Sequence, residues 1–260
     1  MDIYDEMMDS SRRIAAAFPD PYFYRACARE LTDSLRIYQQ TPLVARCRQA
    51  VARDLARNPG HGLDHAEKVA VEAGALVLRE GARIGLEVAD TEEVAALAHV
   101  AGLLHDMRRG DKEHARRGAV AAGLLLKDLG VLETDRQRVV QAIANHEAFI
   151  EPPVTVSAVG KLVSDTLYDA DKFRWGPDNF TVTLWEMLRF ARTSVVAVIP
   201  KFPEGMAGIS RIKGTFRSRT GRLFGPEFID LGLSIGNRIY DFLCKRFAKE
   251  TRKQEDEHDC

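Results

Sequence analysis

Residues 94–106 read VAALAHVAGLLHD. The uncharged run Val94–Leu104 is long for a strand and too short to cross a bilayer. Its apolar positions recur at three- and four-residue steps, the period of a helix. The run therefore reads as a buried helix that delivers His105 and Asp106, side by side, at its C-terminal end. An imidazole and a carboxylate left there are costly unless something pairs them. A divalent cation would do so, because neutral imidazole and carboxylate are among its ordinary ligands.

The helical period extends outward in both directions. It recurs in Ala66–Leu78, Ala119–Leu129, Val139–Ile143 and Val159–Leu167, and no run alternates in the manner of a strand. Turn signals punctuate these stretches at Asn58-Pro59-Gly60, Gly81 to Gly85, Arg109-Gly110-Asp111, Gly130, Pro152-Pro153 and Gly176-Pro177. Thr91, followed by Glu92 and Glu93, reads as an N-cap, and Thr134 as the opening of another helix. The expectation is an all-α protein in three sections. Residues 1–57 form two or three helices that pack on the core. Residues 58–180 hold the informative spacings. Residues 181–260 carry an apolar helix, a Gly- and Arg-rich loop, an amphipathic helix over Phe228–Phe247 and a charged tail, all part of the same globule.

Composition narrows the function classes. At roughly 150 residues per domain, a chain of 260 is one large domain or one with additions. It has 37 basic and 38 acidic residues, so no global field draws it to nucleic acid or an anionic membrane. At 45% hydrophobic it can fill a core. The four cysteines, Cys27, Cys47, Cys244 and Cys260, are far apart with no CxxC pair, which points away from both a zinc ribbon and a disulfide framework. The opening MDIYDEMMDSSRR is acidic where a secretory signal is basic and then apolar. A cytoplasmic setting is expected, with no membrane partner.

Six of the seven histidines fall between positions 61 and 146; the other, His258, sits in a solvated tail. His65 stands at the start of the helix preceding the 94–104 run, and Asp171 follows the helix Val159–Tyr168. Packed as neighbours, these helices could gather His65, His105, Asp106 and Asp171 into a set of two nitrogens and two oxygens. Such a set leaves positions on an octahedral ion for water and a substrate oxygen.

This ordered pattern resembles the HD superfamily of metal-dependent phosphohydrolases. The contexts that carry the resemblance are HGLDHAEKVA (61–70), AGLLHDMRRGDKEH (101–114) and DADKF (169–173), and it covers about residues 55–180. It implies an HD-domain helical bundle of five or more core helices, here with additional N- and C-terminal helices, and a metal held by His65, His105, Asp106 and Asp171. The ion is Mn, Mg, Co, Ni or Fe, one or two per chain. The implied reaction is attack of a metal-activated water on phosphorus, with the ion neutralising charge on the phosphoryl oxygens. A small phosphorylated substrate, most simply a nucleotide, follows from the family. The residues themselves do not choose phosphorus over carbon.

His114 and His146 stand where dinuclear members of the family carry two further histidines, so a second metal position and a role facing phosphate both remain open for them. The His-His pair and GYP signature of the cyclic-dinucleotide branch are absent. An alarmone hydrolase is less favoured, because no synthetase partner domain is visible. His61 and Asp169 are candidates to orient a ligand or contact substrate, Asp64 to cap a helix, and His99 to lie in the core. Arg109, Lys112 and Lys172 are the weaker candidates for phosphate contact, Arg being suited to bidentate binding. Residues 211–222, RIKGTFRSRTGR, hold five basic residues and no acid. They read either as a solvated loop or as a flexible clamp for polyphosphate or nucleic acid, the latter partner not being favoured. The helix after them reads as core or as a subunit contact, which leaves a homodimer open. The competing functions are a di-iron oxygenase of the same fold, a nuclease, and a non-catalytic sensor.

Overall fold

The computed structural model describes residues 2–151 and 157–250, and among them the chain is helical without strands. The Pro152-Pro153 signal, His258 and Cys260 lie outside the described residues. Thirteen α-helices follow in order: α1 (Ile3–Ala15), α2 (Phe23–Ala26), α3 (Ala28–Gln40), α4 (Pro42–Leu55), α5 (Leu63–Glu80), α6 (Val88–Leu104), α7 (His114–Asp128), α8 (Glu133–Ala144), α9 (Ala158–Phe173), α10 (Leu184–Ala191), α11 (Val195–Val198), α12 (Phe202–Ser210) and α13 (Arg219–Arg246). No helix among the described residues is long and apolar enough to cross a membrane.

The centre of the fold is α6. Every residue from Leu97 to Leu104 is buried, as an all-round apolar helix requires. Its most extensive partner is α5, and α4, α8 and α9 close around the pair. Gly102 makes the α5–α6 approach possible, since a Cβ there would lie 2.5 Å from Ala70 Cα. α7 and α8 form an antiparallel hairpin joined at Gly130, whose φ of 76° suits a residue without a side chain. One continuous core runs from Met7 and Phe23 through α5–α9 to Phe228 and Leu243. The stack of Phe173 on Phe228, with centroids 4.2 Å apart, joins α9 to α13.

Several boundaries differ from the sequence reading. The N-terminal section has four helices, one of them a single turn. α6 starts at Val88, before Thr91, whose hydroxyl donates to the Glu87 carbonyl instead of capping. α8 starts at Glu133, so Thr134 lies inside it. α9 runs on to Phe173, which places Asp171 in its last turn. The last helix begins at Arg219, nine residues before Phe228, because Ser218 caps it by accepting from Gly221 N–H and Pro226 is carried within the helix. Residues 211–222 are correspondingly ordered: a 3-10 turn over Arg211–Gly214, buried Ile212 and Phe216, then the cap.

Candidate metal centre

Five helix ends meet at one point. His65 lies in the first turn of α5 and His114 opens α7. His105 caps the C-terminus of α6 with Asp106 next to it, His146 follows the end of α8, and Asp171 is in the last turn of α9. The exposed loops thus carry none of these six residues far from a helix terminus, and the packing of α5–α9 sets their spacing.

The six residues form two trios, each with its donor atoms within 4.8 Å of one another: His65, His105 and Asp171, and Asp106, His114 and His146. In the first, His65 Nε2 is 3.3 Å from His105 Nε2 and 3.5 Å from Asp171 Oδ1, and His105 Nε2 is 3.6 Å from that same oxygen. In the second, His114 Nε2 is 3.2 Å from His146 Nε2, and Asp106 Oδ1 is 3.8 and 3.5 Å from them. Asp106 belongs to both sets. Its Oδ2 faces His105 Nε2 at 3.5 Å and His65 Nε2 at 4.0 Å.

Backbone and side-chain acceptors fix which imidazole nitrogen faces inward. His105 Nδ1 donates to the Gly102 carbonyl at 2.7 Å, and His146 Nδ1 to the Ile143 carbonyl at 2.6 Å. His114 Nδ1 faces the Glu147 carboxylate at 3.1 Å. A carbonyl can only accept, so the Nε2 of each neutral ring presents a lone pair to the cluster.

These donors suit a divalent ion. Ligands bound at about 2.0–2.2 Å lie about 3.0–3.5 Å apart around an ion, close to the edges of both trios. Asp106 Oδ1 is buried and accepts no hydrogen bond, which is costly for a carboxylate oxygen left without a cation. Electrostatics agree. Burial opposes charge on His105, yet Asp106 and Asp171 outweigh it and raise the imidazole to about 10, so the two carboxylates favour positive charge beside them. Both carboxylates stay well below the usual range despite their burial, Asp106 chiefly through His105 and Asp171 chiefly through Lys172.

The remaining candidates fall at varied distances. His61 lies beside His65, ring centroids 4.9 Å apart, and burial lowers it to about 4. Arg109 Nη1 donates to His114 Nε2 at 3.0 Å and is 3.8 Å from Asp106 Oδ1. Lys172, buried, donates to Asp171 Oδ2 at 2.6 Å and so fixes the oxygen opposite the one facing the histidines. Lys112 is exposed, and so is Asp64, which makes no capping bond. Asp169 turns away from Asp171. Its carboxylate accepts from Arg217 N–H at 2.7 Å and Ser218 N–H at 2.8 Å, holding the start of α13, and burial raises it to about 7. His99 is a core residue: its Nε2 meets Ser34 Oγ at 2.8 Å and burial lowers it to about 3.

In the basic stretch, Lys213 pairs with Asp230, Arg222 Nε donates to the Phe216 carbonyl, and Arg211 lies over Phe149. Glu147 and Asn58 were not singled out from the sequence. Asn58 Nδ2 donates to the Asp106 carbonyl at 2.9 Å, a function that its Asn-Pro-Gly turn context disguises. The acid directly after His146 was the available hint for Glu147.

A cavity of about 640 Å³ opens at His65, lined among others by Gly60, Leu63, Lys68 and Glu186. A second of about 520 Å³ shares Lys68, Arg174 and Asp178 with it and adds Phe18, Pro21 and Tyr24.

With this geometry in view, comparison with known proteins is sparse. No family model and no curated protein matches the sequence. The fold is similar to one solved structure, a predicted HD superfamily hydrolase from an uncultured Thermotogales bacterium. The identity is 21%, the match covers 81% of this chain and 97% of that one, and the TM-score is 0.47.

Proposed function

We propose that this chain is a metal-dependent phosphohydrolase of the HD type, acting on a nucleotide or similar small phosphorylated molecule. The observation that carries the reading is Asp106, whose two oxygens face two separate histidine pairs. Such a carboxylate suits a pair of divalent ions, with His65, His105 and Asp171 holding one, His114 and His146 the other, and Asp106 shared. When bound, the ions supply Lewis acidity toward a phosphoryl oxygen and an attacking water.

The chain supplies the rest. Gly102, Ile143 and Glu147 hold three imidazoles with Nε2 inward, so the donor set is organised before substrate arrives. His61, held neutral by burial, offers an acceptor beside His65 that can orient a water. Arg109 carries a guanidinium to the edge of the second trio, where it suits a phosphoryl oxygen. The adjoining cavities favour a small substrate: the one at His65, with Lys68 and Arg174 in its lining, for the phosphoryl end, and the recess with Phe18, Pro21 and Tyr24 for a ring.

The test is metal content per chain after purification without chelator, followed by a panel of nucleoside mono-, di- and triphosphates and simple phosphate esters. Phosphate release that is lost in Asp106→Ala supports the reading. Two irons with oxygen uptake and no phosphate release would replace it with oxygenase chemistry.

A further inference from the structure

We infer that Arg217, which lies outside the motif-bearing section, is a positioning residue for the half of the centre that contains His146. This rests on the two-ion reading above. Arg217 Nη1 donates to the Asn145 carbonyl at 2.7 Å, and Asn145 is the residue that caps α8 immediately before His146. That carbonyl is one of the acceptors that a helix C-terminus leaves unpaired, and a cation there is favoured by the helix dipole as well.

The guanidinium is itself held firmly. It lies 3.6 Å from the centroid of the Tyr168 ring, on α9. Its backbone N–H is bound by Asp169, also on α9 and two residues from Asp171. Gly221 is required for that anchor, since a Cβ there would lie 2.0 Å from Asp169 Oδ2. Asp165 and Asp169 act on its charge electrostatically, and among the described residues its side-chain hydrogen bond is the one to Asn145. The Asn145 turn has one further tie to α9, through Asn145 Nδ2 to Ser164 Oγ at 3.2 Å. Arg217 therefore fastens the His146 turn at the end of α8 to α9, the helix that bears the first trio's carboxylate. It adds to the α8–α9 packing that holds the second trio at its distance from the first.

The consequence is selective. Losing the Arg217 donors loosens the turn that carries His146 and leaves His65, His105 and Asp171 in place. The experiment is titration of the full chain, stripped of metal, with Mn2+, reading free Mn2+ by electron paramagnetic resonance, alongside circular dichroism. His146→Ala identifies which of the two binding steps belongs to the second trio. Arg217→Met keeps an unbranched stem on Tyr168 and removes the donors. It is expected to weaken that step by about 10- to 100-fold, as loss of a residue supporting a ligand does, and to leave the other step unchanged. Arg217→Lys, which keeps a charge and a donor, is expected to recover part of the loss.

Arg217→Met binding both ions as the wild type does would overturn the inference. So would equal weakening of both steps, or a wild type that binds one ion only. A wild type that binds no Mn2+ would instead remove the metal-centre reading on which it rests.

Discussion

Oδ1 of Asp106 lies 3.5 Å from Nε2 of His146, while Oδ2 of the same carboxylate lies 3.5 Å from Nε2 of His105. One side chain thus joins two groups of ligands. Asp106→Ala is expected to abolish both metal positions while the far-ultraviolet circular dichroism stays helical. His146→Ala and His65→Ala are each expected to remove one. Elemental analysis of the three variants, beside a wild type that binds two ions, should read about none, one and one per chain. A full ion count in Asp106→Ala would show that the carboxylate is not shared.

Glu147 faces His114 Nδ1 at 3.1 Å and favours the ring orientation that presents Nε2 to Asp106 and His146. Glu147→Gln should therefore weaken one ion by about 10- to 100-fold without moving the other. Calorimetric titration distinguishes this from a general loss of fold, which would move both.

At Gly102 a methyl group would press on the backbone of α5, 2.5 Å from Ala70 Cα and 2.7 Å from Ala70 N. Neither helix can yield locally, so Gly102→Ala has to part them. The expected cost is about 1–3 kcal/mol, as for other overpacked cores, a fall in Tm of several degrees. Because His65 and His105 lie on those two helices, metal retention after dialysis should fall with it. A variant as stable as the wild type would show that α5 and α6 slide freely.

His99 gives the chain a pH dependence of known sign. Burial lowers it from 6.5 to about 3, so between those values the unfolded chain binds a proton that the folded chain does not. Stability contributed by the neutral ring is full above about 6.5 and is lost as pH falls toward 3, at up to ~1.4 kcal/mol per pH unit. His99→Gln, which keeps a partner for Ser34 Oγ and does not titrate, should flatten the fall in stability between pH 6.5 and 5. Urea unfolding of both proteins across that range is the measurement. Parallel curves would mean that His99 protonates as easily folded as unfolded.

Much of this arrangement is legible in the amino-acid sequence. The 94–106 stretch marked a buried helix with a polar pair at its end because apolar residues on every face leave no other place for it. His65 and Asp171 could be singled out by type and position, His114 and His146 through the family resemblance, and the structure brings all four to the same point. What the sequence hid were contacts made through backbone atoms. Nothing in residue 102 or 143 announces that its carbonyl will orient an imidazole three residues later. The basic residues of 211–222 read as a solvated loop or a flexible clamp because sequence shows charge but not partners. Pro226 and the glycines around it masked the true start of α13, since the Ser218 cap and its carboxylate anchors only operate once distant helices have met.

The way α13 begins has a consequence for any attempt to isolate the part of the chain that carries the histidines. Its first turn is received by two carboxylates from that part: Asp169 takes the N–H groups of Arg217 and Ser218, and Glu80 takes the N–H and hydroxyl of Thr220. Both acids are buried. A fragment ending near residue 180 would keep the acids and lose what they hold, at the same time baring Phe173 where Phe228 had covered it. The histidine-bearing stretch is recognisable on its own in sequence, but it is not expected to stand as a transplantable unit. A chimera built on motif boundaries would carry the ligands and lack the wall against which they are set.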